Sequence, residues 1–269
     1  EEDLLKAVAE FQRLADKDTY RFPLPKDITG ANVHKATLSR LLDYEARHPG
    51  AYPMIIAFTR GRAYEGLHAY DSAVAQFAKV SESTSRLQNE ATRAVAALLE
   101  FNTLKNSTPN ATTAVEYVNE LEKQGTAWRS LAEQYSETPY EGLALEEEEF
   151  LDRAKVTFLE LNRYRIVDGN ESVLLAYQQL LDKHHESKNR FRYRLELADF
   201  YVSLAHDYVA QNDPETLRYD AAIFESLGSA ALQHYAKISQ EDGVIEKLEA
   251  QNKLGALQSY MARIKRLGY

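Results

Sequence analysis

The chain has 269 residues, 32 basic against 41 acidic side chains for a formal net charge of −9, and no cysteine. Zero cysteine excludes disulfides, thiolate metal sites, iron–sulfur clusters and cysteine nucleophiles, and the acidic balance speaks against nucleic acid as a partner, which needs a basic footprint. A hydrophobic fraction of 44% can build a core for one large domain or two modest ones.

The chain starts Glu1-Glu2-Asp3, without an initiating Met or a signal-peptide hydrophobic region. The most apolar stretch, Ala94 to Leu99, is far too short for a transmembrane segment. Such a start fits a removed targeting segment, as in an envelope or secreted protein, and equally a domain excised from a longer chain. Leu4, Leu5, Val8 and Phe11 form a first helical stripe, followed by a non-helical connector at Arg21–Lys26 that holds Pro23 and Pro25. Val33, Leu38, Leu41, Leu42 and Tyr44 form the next stripe. His48-Pro49-Gly50-Ala51-Tyr52-Pro53 stops one helix and starts another, because proline lacks the amide proton and fits only the first turn. Further turns are read at residues 106–110, at Thr138-Pro139 and at Asp168-Gly169-Asn170. Leu195, Leu197, Ala198, Tyr201, Leu204, Ala205 and Tyr208 carry a long stripe, and Asn212-Asp213-Pro214 reads as an N-cap with proline at the first helical position. No run alternates cleanly between hairpin turns, so no strand is predicted. The expected fold is all-α, with twelve or thirteen helices. Residues 1–50 are read as N-terminal helices with the proline connector, and 51–269 as one continuous helical-repeat domain.

Residues 57–80 carry the strongest pattern, AFTRGRAYEGLHAYDSAVAQFAKV. Small residues stand at Gly61 and Ala73 and large ones at Tyr64, Tyr70 and Phe77. Two antiparallel helices approach closely only where side chains are small, and rings fill the gap beside the contact. The segment resembles a tetratricopeptide repeat, a helix–turn–helix unit of about 34 residues. Its second helix is echoed by Ala231, Tyr235 and Ile238, where an aromatic follows a small residue by four positions and a β-branched residue comes three later. A weaker copy is Val173, Tyr177 and Leu180, preceded by Leu161 and Tyr164 at the matching first-helix positions. The weakest is Ala114, Val118 and Leu121, with Asn102 where the family prefers glycine. The resemblance implies a right-handed α-solenoid of stacked antiparallel helix pairs, a TPR-like superhelix with irregular repeats.

Candidate chemistry is sparse. His184-His185 could suggest a metal, but adjacent helical residues point about 100° apart and cannot share one ion, so they read as solvated histidines at a helix end. Glu146-Glu147-Glu148-Glu149 reads as a solvated charge run, with Phe150 and Leu151 following on the buried stripe. The alternating arginines of residues 189–194 splay around a helix instead of forming one basic stripe. No phosphate-binding glycine loop and no Gly-x-Ser-x-Gly elbow is present. Asn106-Ser107-Thr108, Asn110-Ala111-Thr112 and Asn170-Glu171-Ser172 match the N-glycosylation triplet, a pattern common by chance. No catalytic residue, metal or cofactor is therefore assigned.

Stacked helix pairs of this family present a concave surface lined by their first helices, whose backbones are used internally, so side chains do the recognising. The resemblance puts Phe58, Arg62 and Glu65 on that surface in the best repeat, and Lys155, Phe158, Asn162 and Arg165 in the copy around Val173. The family's lysine–asparagine clamp for acidic chaperone tails is absent, since Phe58 and Arg62 occupy its first two positions. The expected function is a non-enzymatic scaffold or adaptor that binds a protein or peptide. The missing start Met and absent cysteine tilt the reading toward a bacterial, periplasmic or otherwise extracytoplasmic setting, with a cytoplasmic one as the alternative. The competing functions are a helical accessory domain of a cell-wall enzyme and a small-ligand or lipid-binding helical domain with tyrosines lining a pocket.

Overall fold

The computed structural model describes residues 31–107 and 109–267, together with Leu4, Lys6, Val8 and Ala9, which are helical. The described residues form α1 (Ala31–Arg47), α2 (Pro53–Glu65), α3 (Tyr70–Ser81), α4 (Gln88–Lys105), α5 (Ala114–Gln134), α6 (Pro139–Asn162), α7 (Gly169–Lys183), α8 (Arg190–Gln211), α9 (Ala221–Ser239) and α10 (Lys247–Leu267). No strand occurs among them, and no helix among them is long and apolar enough to cross a membrane. The fold is all-α, with neighbouring helices packed in consecutive pairs. Ten helices are bounded among the described residues, and α5, α6 and α8 run uninterrupted for 21, 24 and 22 residues. Backbone contacts group the chain into two compact units, residues 1–152 and 153–269, divided within α6.

In the first unit, α1 buries His34, Thr37, Leu41 and Tyr44 at helical spacing, while Leu42 of the predicted stripe is exposed. Thr37 is admitted because its hydroxyl donates to the Val33 carbonyl one turn back, 2.9 Å away. Leu41 and Tyr44 pack with Leu4 and Ile56. Leu5, Phe11 and the Pro23/Pro25 connector lie outside the described residues. Proline at the first position starts α2, and Tyr52 before it takes a left-handed backbone, φ 51°. The α2–α3 hairpin is the repeat-like segment. Phe77 lies directly on Gly61, so a Cβ there would fall 2.7 Å from the ring. Ala73, Phe77 and Val80 are completely buried and join Leu98, Phe101 and Trp128 in one apolar cluster. At the start of α5, Thr113 and Glu116 form a reciprocal capping box.

In the second unit, α9 turns Ala231, Tyr235 and Ile238 inward against Leu195 and Ala198 of α8 and Leu257 of α10. Gly228 is occupied in a similar way, with the Met261 side chain from α10 lying where a Cβ would project. Val173, Tyr177 and Leu180 of α7 are buried too. The predicted first-helix partners of that copy, Leu161 and Tyr164, are not: both are exposed. Helix α6 ends at Asn162, so Tyr164 lies past it, where its hydroxyl donates to Asp207 at 2.8 Å. Pro214 does not start a helix either. Residues 213–218 form turns, and the next helix begins at Ala221, capped by the Asp220 carboxylate accepting from the Ala222 amide at 2.8 Å.

Candidate functional site

Phe58, Arg62 and Glu65 come together on α2, as residues spaced four and three apart on a helix must. Phe58 is half-buried and meets Phe77 edge-on, ring centroids 5.3 Å apart. Arg62 Nη1 donates to Glu65 Oε1 at 2.7 Å, with its own side chain 35% exposed. Glu65 is buried, and its second oxygen, Oε2, is enclosed and accepts no hydrogen bond. Burial raises this carboxyl, Arg62 pulls it back in part and Glu90 raises it again, leaving it at about 7.

The set from the later copy is placed differently. Lys155 is buried, and its ammonium donates to Gln179 Oε1 at 3.0 Å. Phe158 is half-buried, and its carbonyl accepts from the Asn162 side-chain Nδ2 at 2.8 Å. Arg165 is exposed beyond the helix end.

The sequence reading missed a second polar cluster in the first unit, which corrects the solvated-face reading of residues 146–149. Glu147, Glu148 and Glu149 are all buried, while Phe150 is 69% exposed. The reason is geometric: four successive residues at about 100° each sweep the whole circumference, so a helix with a packed face must turn some of them inward. Glu147 Oε1 takes three donors: the Tyr70 hydroxyl at 2.9 Å, His68 Nδ1 at 2.8 Å and Lys105 Nζ at 2.8 Å. His68 Nε2 reaches Glu146 at 3.2 Å, and Lys105 also donates to the His68 carbonyl at 3.0 Å. Arg129 embraces Glu148 with two contacts, at 2.8 and 3.1 Å. Burial alone would lower the His68 pKa, but hydrogen bonds and charge from Glu146 and Glu147 outweigh it and hold the imidazolium up to about 9. Burial likewise opposes ionisation of Glu147, yet His68 and Lys105 keep its carboxyl below the usual range. Burial also raises the Tyr70 hydroxyl, reinforced by Glu147. His68 itself sits in a left-handed conformation, φ 56°, in the turn before α3.

The histidine pair is also only half as predicted. His184, at the end of α7, is buried, while His185 is exposed and its Nδ1 lies 3.0 Å from the Asp182 carbonyl. In the second unit, burial, Arg194 and Lys237 push His234 down to about 4 beside the stacked ring of Tyr201.

Comparison with known proteins adds no kin: no family model matches the chain, and no curated protein matches it.

Proposed function

We propose that the chain is a non-enzymatic interaction scaffold of the tetratricopeptide-like kind, in which helix pairs stack as a solenoid and the first helix of the best repeat meets a protein or peptide segment. The observation that carries this reading is the Arg62–Glu65 pair on α2. A buried carboxyl 2.7 Å away holds a guanidinium that remains about one-third exposed. Such an arginine is oriented in advance, so less rotamer freedom is lost when a partner docks. The helix backbone satisfies its own amides, which leaves side chains as the means of recognition. The consecutive packing of neighbouring helices and the Gly61–Phe77 contact support the repeat architecture that this function uses.

The test is capture from an extract of the source organism by the immobilised chain, with Arg62→Glu and Phe158→Ala alongside wild type. The expected result is loss of the captured protein with Arg62→Glu while the chain stays helical at the capture temperature, with a lowered melting temperature because Glu65 loses its partner. Capture that is identical for all three proteins overturns the assignment.

A further inference from the structure

We infer that one end of the second unit is a docking surface for a second copy of this chain. The inference is independent of the α2 surface, which belongs to the first unit. At this end the turn joining α6 to α7, the turn joining α8 to α9 and the last turn of α10 come together. Arg163 and Tyr164, in the first of these turns, both reach Asp207 near the end of α8, each at 2.8 Å. Tyr208 of α8 packs on Tyr219 of the second turn, ring centroids 5.9 Å apart, and Tyr219 packs on Phe224 at the start of α9. Phe224 packs with Ile264 of α10, and Lys265 Nζ donates to Glu225 at 3.3 Å.

Eight large apolar side chains are exposed among the described residues of this unit, and six of them collect at this end: Leu161, Tyr164, Val167, Leu217, Ile223 and Leu267. Single exposed aliphatics are ordinary, but a group gathered in one place marks an interaction surface. Hydrogen-bonded turns hold these side chains outward. The Arg165 and Ile166 amides donate to the Asn162 carbonyl at 2.8 and 3.2 Å, and the Thr216 amide to the Asp213 carbonyl at 2.9 Å. Val167, 86% exposed, and Leu217, fully exposed, project from them.

Charge names the occupant. Residues 213–225 hold four acids, Asp213, Glu215, Asp220 and Glu225, against one base, Arg218, a net −3. Residues 263–267 hold Arg263, Lys265 and Arg266 and no acid, a net +3. Residues 161–171 balance Arg163 and Arg165 with Asp168 and Glu171, so the three segments cancel. An acidic segment and an equally basic one at the same apolar end are self-complementary. Across a two-fold axis, the α8–α9 turn of each copy meets the last turn of α10 in the other. Glu215 and Arg266 are exposed and form no ion pair among the described residues, so both can pair across the axis. The −9 of the whole chain disfavours an anionic lipid surface, the other cover for exposed aliphatics, while the neutral end lets two copies approach.

The experiment is sedimentation velocity of the full chain over a concentration series, with flotation on phosphatidylcholine–phosphatidylglycerol vesicles alongside. Wild type forms a dimer, and Val167→Asp with Leu217→Asp weakens it about tenfold or more, since the contact would bury unpaired charge. Leu248→Asp, in the first turn of α10, leaves it unchanged. Glu215→Lys with Glu225→Lys makes the turn basic, and Lys265→Glu with Arg266→Glu makes the helix end acidic. Each charge variant alone loses self-association, and mixing the two restores a dimer. A wild type that stays monomeric, a dimer indifferent to Val167→Asp with Leu217→Asp, or charge variants that keep wild-type helicity and fail to associate when mixed overturns the inference. Flotation of a monomeric wild type that Val167→Asp with Leu217→Asp abolishes also overturns it, and gives this end to lipid.

Discussion

The α2–α3 hairpin of the first unit and the α8–α9 pair of the second answer the same packing problem with different chemistry. Both place an aromatic four positions after a small residue on the second helix, at Phe77 and at Tyr235. Phe77 has no polar atom and lies on a glycine, so contact there depends on steric room alone. Tyr235 keeps its hydroxyl and donates it to Asp199 of α8 at 2.5 Å, while Lys253 of α10 holds the other carboxylate oxygen at 2.6 Å. Tyr177 of α7 repeats the second solution, donating to Glu160 of α6 at 3.2 Å. An aromatic at this position therefore packs on a bare glycine in one case and donates to an acid of the preceding helix in the others. The two hydrogen-bonded networks also differ in burial. In the first, Glu147 is buried beneath His68, Tyr70 and Lys105. In the second, the Asp199, Glu249 and Lys253 side chains are each more than a third exposed.

This contrast sets the order of expected effects. Glu147→Ala removes the acceptor that His68, Lys105 and Tyr70 share, and should cost about 3 kcal/mol in denaturant unfolding, the low end for a broken buried pair because Lys105 is 38% exposed and His68 keeps Glu146. The pH response sharpens the point. His68 is raised from 6.5 to about 9 on folding, so its stabilisation is complete below about 6.5 and is lost as pH rises through about 9. Glu65, raised from 4.5 to about 7, also lowers stability as pH rises, but through the window below His68's. Wild type should thus lose stability between pH 7 and 9, and Glu147→Ala should show a shallower loss. Equal slopes would detach His68 from the network.

Gly61→Leu forces a side chain into the space of the Phe77 ring and should cost about 1–3 kcal/mol. A melting curve identical to wild type would remove the close approach on which the first repeat rests. The smallest effect belongs to the second unit. Tyr235→Phe removes one hydrogen bond from an aspartate that still holds Lys253, and should cost about 1 kcal/mol by denaturant unfolding. A loss as large as that of Glu147→Ala would erase the difference between the two units.

Periodicity made the all-helical class legible, along with the inward faces of α3, α7 and α9, because Phe77, Tyr177 and Tyr235 obey a local spacing rule. It did not reveal the Glu147 cluster, whose members His68, Lys105 and Glu147 are joined across 42 and 79 positions of sequence. It also treated His184 as a surface group, since hydropathy assigns polar side chains outward whatever partners the fold supplies. For the candidate site, the spacing of Phe58, Arg62 and Glu65 put them on one face. What stayed hidden was that Glu65 is buried with one oxygen accepting no hydrogen bond, a property set by packing and not by spacing along its own helix.

The most direct measurement of the central claim, that the first helix of the best repeat meets the partner, is photo-cross-linking from position 62. A benzophenone amino acid at Arg62 is compared with the same group at the exposed Lys79 on α3. The account predicts a cross-linked partner from position 62 and none from position 79. Cross-links from position 79 and none from position 62 would contradict it.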